Sequence, residues 1–512
     1  MTQFSYLKTQ VSAKGLIFFF LIVIFSLNKQ ALKAQQLVLP GDNPDPSVVK
    51  IGDTYWASAT TSNWMPAYPL FKSKDLVNWK MEGSIFNKLP EWADYYFWAP
   101  EVTYDKGKVY VYYTAHKKNG NLCVGIASAD KPEGPYRDHG PLICQEAGSI
   151  DAFPMRDENG KLHIIWKEDG NSVGKPTPIW ISEMNEERTA LIGEKRELFR
   201  NEQPWEANLV EGASMIKHGE YFYAFYAAAG CCGSGCTYVS GVARSKSLFG
   251  PWEKYDKNPI LVSNDKWKCP GHGTPVEKGG KFYFLYHGYD TKSGAFAGRQ
   301  GLLQEFTFTP DGWIRFIDAP SGRSAIVPQS ISDEFKGKGL SELWQWSVFQ
   351  NLDYKLTKGN LELSALPVVS GAYIGQKTYT ADYTADAVVS AARSTAETGI
   401  AAIGDDNNIV SMSVAGDTLR VSVIKRGNAA FMMEKTVKTK DKLHLRMQVK
   451  NGKDITFLYS TTGKDFKVFN DESIDATFLP PWDRAIRAGL VSKGSPDKKA
   501  VVESFSLKSV AE

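Results

Sequence analysis

The chain has 512 residues, with 60 lysines and arginines against 57 aspartates and glutamates, and it carries 14 Trp, 23 Tyr and 27 Phe. That length is long for one domain and suits two. A charge so close to balance argues against nucleic acid or an acidic membrane surface as partner, and the aromatic content suits a β-rich core and sugar-stacking surfaces alike.

At the N-terminus, Lys8 and Lys14 precede an apolar run from Leu16 to Phe25, with Ala31 and Ala34 beyond it. This pattern predicts a secretory signal peptide over residues 1–34, because a membrane span needs roughly 20 apolar residues. No Cys follows the run directly to take a lipid. Without the four lysines of this segment, 56 basic residues face 57 acidic ones. The expected product is exported, periplasmic or extracellular, with no membrane span after cleavage. Export permits disulfides among Cys123, Cys144, Cys231, Cys232, Cys236 and Cys269, and no zinc spacing is present.

A repeat then organises residues 35–328. Five segments share a short apolar strand, a Gly-containing turn and an aromatic strand. They are PSVVKIGDTYWASA from Pro46, PEVTYDKGKVYVYYTA from Pro100, DAFPMRDENGKLHIIWK from Asp151, GASMIKHGEYFYAFYA from Gly212 and GTPVEKGGKFYFLYHG from Gly273. Their turns contain glycine where a tight hairpin demands positive φ. Further strands echo one another, ending at Trp79, Tyr136 and Trp252. Radial repetition of such units predicts a five-bladed β-propeller. From Ile331 onward, short alternating strands such as GNLELSA and DTLRVSVIKRG predict an antiparallel β-sandwich over 329–512. The fold class is therefore all-β.

In a propeller, residues just ahead of each innermost strand converge on the central funnel. In blade order these are Asp45, the pair Trp98 and Glu101, Asp151, Glu211 and His272. The loops after each second strand overhang the same mouth and carry Trp64, the GCCGSGC stretch and Arg299. A disulfide from Cys236 to Cys269 would pin the blade 4 loop, and Cys123 and Cys144 sit on successive outer strands of blade 2. Thiol catalysis is not expected, since no His/Asn arrangement accompanies the cysteines.

Five motifs in order, PDPSVV, WAPEV, SIDAF, VEGASM and GHG, resemble glycoside hydrolase family 43. The C-terminal part, through DEFKGKGL, WQW and GNLELSA, resembles the concanavalin-like sandwich attached to many β-xylosidases and α-L-arabinofuranosidases of that family. The resemblance implies Asp45 as general base, Glu211 as general acid, and Asp151 as a third carboxylate that keeps the acid's pKa high and orients it. Trp98, whose flat apolar ring complements the apolar face of a sugar, is a candidate stacking platform or else a structural residue between blades; Arg299 resembles a substrate-contacting arginine of the family, and Trp64 in the first overhanging loop is a further subsite candidate. His272 resembles an axial histidine that in some members binds calcium, a structural ion rather than a cofactor of the chemistry, although calcium prefers oxygen ligands. Inverting hydrolysis needs the two principal carboxyl groups about 6.5–9.5 Å apart, with water between.

The implied activity is removal of terminal α-L-arabinofuranosyl residues from plant polysaccharides or oligosaccharides. β-Xylosidase is the second choice, with exo-β-galactosidase and endo-arabinanase further alternatives. A retaining fructan hydrolase fits poorly, because NPDPS, SIDAF and EG stand where it needs Asn-Asp-Pro, Arg-Asp-Pro and Glu-Cys. A silent carbohydrate-binding propeller would have lost one of the three carboxylates. The sandwich alone reads as a binding module or as a buttress.

Overall fold

The computed structural model describes residues 35–317, 327–328, 330–438 and 441–510; the expected signal peptide lies outside them. The N-terminal body is a ring of five antiparallel sheets. Blade 1 comprises Ser47–Ile51, Thr54–Ser58, Ala67–Ser73 and Trp79–Phe86. The inner strands of blades 2 to 5 are Ala93–Asp105, Ser149–Arg156, Val210–His218 and Trp267–Lys278.

The aromatic second strands explain how the ring holds together. In Tyr221–Ala228 every residue after the first is buried, and most of Lys108–Lys117 is buried on both faces. Such a strand packs against two neighbouring blades at once. Tyr226 fills the core between blades 3 and 4, while Phe225 stacks on Phe284 of blade 5 at 4.6 Å. Burying rings of this size contributes about 1.5–3 kcal/mol each, which is why bulky aromatics recur at these positions.

Closure uses the start of the described chain. Gln36–Leu39 adds to Arg299–Phe308 as an outer strand of blade 5, with Gln36 opposite Leu303. The last strand paired there, Ile314–Phe316, is followed by Ser330–Asp333 of the second body. That body stacks a six-stranded sheet on a nine-stranded one. Strand Tyr383–Ser390 alternates buried and half-buried positions, as a sandwich requires, and its inward residues meet Ile400, Met412 and Phe505 in one core.

The two bodies interlock. Trp64–Met65 pairs with Trp346–Ser347 of the sandwich, and Trp64 is only 1% exposed, packed against Tyr373 and Arg487. This corrects the expectation that Trp64 serves as a sugar subsite. The loop carrying it is claimed by the domain junction, because its ring finds apolar cover there. Beside it Asp42 and Arg487, both buried, form an ion pair at 3.3 Å, and Arg487 also donates to Gln345 at 2.8 Å. Among the described residues, no helix is long and apolar enough to cross a membrane.

Candidate active site

Asp45, Asp151, Glu211, His272, Trp98 and Arg299 line one cavity of about 340 Å³. The structure therefore brings together the site residues expected from sequence except Trp64, with Glu101 set in a second, lower cavity. The expectation that these residues precede the inner strands holds only for Asp45, since Trp98, Asp151, Glu211 and His272 lie within their strands. They point into the funnel because the ladder slips beside each of them, at Ile150/Phe153, Glu211/Ser214, Gly271/Gly273 and Trp98/Glu101. Bulges of this kind re-aim side chains.

Asp45, Ala99, Asp151 and His272 all have positive φ, at 49°, 44°, 56° and 38°. Conformations that cost non-glycine residues about 1–3 kcal/mol survive only where the surroundings enforce them. Gly212, with φ of 61°, shows how tightly they do, since a Cβ there would stand 2.7 Å from the His272 ring.

Asp45 is anchored from several sides. Thr60 donates its hydroxyl to Asp45 Oδ2 at 2.7 Å, and the Ala99 amide donates to the same Thr60 oxygen at 2.7 Å, fixing its orientation. Arg299 Nη1 lies 3.0 Å from Asp45 Oδ1, and the Asp45 amide donates to His287 Nδ1 at 3.0 Å. Burial opposes ionisation of Asp45, but the Arg299 guanidinium, with a smaller pull from His272, outweighs it and holds the carboxyl well below its usual range. His287 itself is pushed down to about 4 by burial, so its imidazole is neutral. Its sequence signal was the YHG at the end of a second strand, which reads as core without the fold.

The other two carboxyls behave differently from each other. Asp151 is raised to about 7, first by burial and also by the Glu211 charge, against the pull of His272. Its Oδ2 accepts the Gly212 amide at 3.0 Å. Glu211 is pushed up by burial, yet Lys167 and Tyr238 hold it below its ordinary value. Lys167 Nζ is 2.7 Å from Glu211 Oε2 and 2.9 Å from Asp169 Oδ1, and the Tyr238 hydroxyl donates to Glu211 Oε1 at 2.7 Å. The expected raised pKa thus falls on Asp151 rather than Glu211, because the buried cation Lys167 touches Glu211 and not Asp151. Lys167 was missed in HIIWKED, where it reads as a strand-end lysine facing solvent.

Glu101 sits lower, in a cavity of about 10 Å³ also lined by Asp45, Asp151 and His272. Burial pushes it up to about 8, although Thr274 donates to it at 3.0 Å. His272 Nδ1 lies 3.6 Å from Asp45 Oδ1 and 3.9 Å from Asp151 Oδ2. Among the described residues no group of three or more His, Cys, Asp or Glu is arranged to hold a metal ion.

The sandwich completes the wall. Trp482 and Asp483 line the cavity, and Trp98 stands edge-on to Trp482 at 5.7 Å. Trp98 Nε1 donates to Asp483 Oδ2 at 3.1 Å, Ser62 hydrogen-bonds the same carboxylate, and Arg299 Nη2 donates to the Asp483 carbonyl at 2.8 Å. The PPWDR stretch that carries them lies about 180 residues beyond Arg299, so nothing local pointed to it.

All six cysteines are paired. Cys123–Cys144 joins facing positions of the outer strands of blade 2, and Cys236–Cys269 pins the blade 4 loop, as expected from sequence. The adjacent Cys231 and Cys232 form the third bridge and line the same cavity as the three carboxyls.

Residues 34–314 match the family described as glycosyl hydrolases family 43, and residues 332–481 match the β-xylosidase C-terminal concanavalin A-like domain. The chain is 26% identical over 341 residues to a xylosidase/arabinosidase of Humicola insolens, a match covering 60% of this chain and 61% of that one. It is 29% identical over 273 residues to a xylan 1,3-β-xylosidase of a Vibrio species, covering 49% of each. A longer match, 25% identical over 448 residues, covers 79% of this chain and 78% of a non-reducing end α-L-arabinofuranosidase of Bacteroides ovatus. Among solved structures, a family 43 protein of Bacillus licheniformis superposes with a TM-score of 0.79 at 24% identity, covering 93% of this chain and all of that one. A xylan β-1,4-xylosidase of Bacillus halodurans does so with a TM-score of 0.78 at 20% identity, with the same coverage of each chain. These two structures share the fold, propeller and sandwich alike. With the family matched over more than half its length and the carboxylates of its motifs gathered at one funnel, the chain belongs to glycosyl hydrolases family 43.

Proposed function

We infer that the protein is an exported, inverting exo-glycosidase that removes terminal α-L-arabinofuranosyl residues from plant polysaccharides or oligosaccharides. The observation carrying this reading is the split among three carboxyls in one cavity: Asp45 held ionised, and the Asp151–Glu211 pair retaining a proton near neutral pH. Carboxyls whose environments push their pKa values apart divide into base and acid.

In the reaction, Asp45 takes a proton from a water as its oxygen attacks the anomeric carbon. The bond to the leaving oxygen breaks, and that oxygen receives the proton of Glu211, leaving a free sugar of inverted configuration and a shortened glycan. Asp151 supplies the pair's stored proton when Glu211 must be acidic, and Lys167 keeps Glu211 aimed into the cavity. Arg299 Nε and Asn171 Oδ1 are buried without hydrogen-bond partners and line or border the same cavity. Sugar hydroxyls would satisfy both.

The wall of Trp482 and Asp483 supports exo action, since it blocks one side of the funnel. Arabinofuranose is favoured over xylose by the length of the match to the arabinofuranosidase of Bacteroides ovatus; β-xylosidase is the second reading. Three disulfides accord with export.

The test is hydrolysis of nitrophenyl α-L-arabinofuranoside beside nitrophenyl β-D-xyloside, with product configuration followed by proton NMR. Asp45→Asn and Glu211→Gln should each lower kcat on the preferred glycoside by about two to four orders of magnitude. Retained activity in both variants would move the chemistry away from these carboxyls, and preferential xyloside cleavage would make the second reading the right one.

A further inference from the structure

A second groove, of about 780 Å³, opens on the sandwich side of the catalytic cavity and shares Tyr96 and Trp482 with it. Its volume is more than twice that of the cavity, about 340 Å³. A chain of rings connects the two. Tyr96 stacks on Trp98 at 4.4 Å, Tyr95 meets Tyr96 at 4.7 Å, and Phe349 follows Tyr95 at 5.9 Å. Trp98 faces the catalytic carboxyls, whereas Phe349 lies on the sandwich, 59% exposed, beside Trp482 at 53%.

Phe349, Trp482, Val368 and Val369 are each about half exposed and line this one groove, and apolar groups gathered in this way mark a binding surface. Phe349 belongs to neither neighbouring core, and its ring contact is with Tyr95 at the edge of the groove. Between the rings, the groove presents carboxylate and amide groups of Asp405, Asp406 and Asn407 and one guanidinium, Arg484. Flat apolar faces interleaved with hydrogen-bonding groups match the CH faces and hydroxyls of a neutral sugar chain. No cluster of cations stands among the lining residues to favour an anionic ligand.

We propose that this groove binds the glycan main chain from which the terminal sugar branches, with Phe349 and Trp482 as its stacking platforms. The inference rests on the exo-glycosidase reading and adds to it the position of the substrate beyond the scissile bond. The terminal sugar occupies the cavity with the bond to be cut between Asp45 and Glu211, and main-chain residues pass over the outer edge of Tyr96 and Trp482, which both spaces share, onto the sandwich. The C-terminal body is then part of the substrate site rather than a buttress, and the enzyme prefers branched polymer to small glycosides.

Phe349 has no place in the catalytic cavity, so Phe349→Ala isolates the groove. On arabinoxylan or branched arabinan the variant should lose about tenfold in kcat/KM, with nitrophenyl glycoside hydrolysis within twofold of the parent. Equal losses on both substrates, or none on either, would overturn the proposal. Native electrophoresis through gels containing the same polysaccharides separates this idea from the enzymatic one. Retardation of the parent that Phe349→Ala relieves supports the groove even if no glycoside is cleaved. Retardation unaffected by the substitution, or none at all, overturns it while leaving hydrolysis of small glycosides to stand or fall separately.

Discussion

Lys167 and Glu101 show how much of the site's behaviour depends on single buried groups. Lys167 is a cation with two carboxylate partners and almost no solvent, and its charge lowers Glu211 directly and Asp151 at longer range. Replacing it by Met removes a field that favours the ionised forms, so the proton of the pair is held to higher pH. The alkaline limb of kcat/KM should therefore move upward by about one unit or more. A lower rate with an unmoved limb would reduce Lys167 to a packing role. Glu101 makes a separate prediction about stability. Its folded pKa, about 8, exceeds its ordinary value of 4.5, so its contribution is complete below pH 4.5 and is lost as pH rises through 8. Glu101→Gln keeps the uncharged form at every pH. Its melting temperature relative to the parent should climb between pH 5 and 8, by an amount worth a few kcal/mol, and then level off. A difference independent of pH would mean that Glu101 is already charged in the folded protein. The chemistry-bearing residue types at Asp45, Asp151 and Glu211 were legible in the sequence, but their protonation was not. That depends on Lys167 and Arg299, which arrive from other strands.

Strands and loops set the geometry within which those charges act. The inner strands carry bulges where Trp98, Asp151, Glu211 and His272 turn inward. The sequence motifs placed these residues beside the strands, and only the slipped ladders put them inside. The blade 4 loop is held by Cys236–Cys269, which closes 33 residues, and Cys231 and Cys232 on that loop line the cavity. Replacing Cys236 and Cys269 together by Ser should cost about 3 kcal/mol of stability. It should also raise KM more than it lowers kcat, because the carboxyls are anchored by other strands. An unchanged KM would show that the cavity wall is rigid without the bridge. The pairing of Cys123 with Cys144 was foreseeable because the hairpin spacing sets them on adjacent strands. The bridge between Cys231 and Cys232 was not assigned from sequence, since adjacent cysteines are as free to pair elsewhere.

Across the whole molecule, the sandwich behaves as one wall of the active site. It is locked to the propeller through the pairing of Trp64–Met65 with Trp346–Ser347 and the buried Asp42–Arg487 contact. Asp42→Ala leaves the Arg487 guanidinium buried without its carboxylate, a loss of about 3–5 kcal/mol. Calorimetry should then resolve separate melting of the two bodies, and kcat/KM should fall because Trp482 and Asp483 are no longer held against Trp98. A single unshifted transition would mean that docking rests on apolar contacts alone. The repeat of turn and aromatic strand was sufficient for the five blades, and alternation was sufficient for the sandwich, because both patterns are local and periodic. The family's motifs were likewise visible, since each lies on a short stretch of chain. What only the tertiary structure decided is contact between residues far apart in sequence. Trp64 was drawn into the domain junction, PPWDR was brought from the sandwich to the funnel, and Lys167 was set against Glu211. Such contacts depend on how blades and bodies pack in space, and no periodicity along one strand encodes which distant side chain will fill a buried gap or neutralise a buried charge.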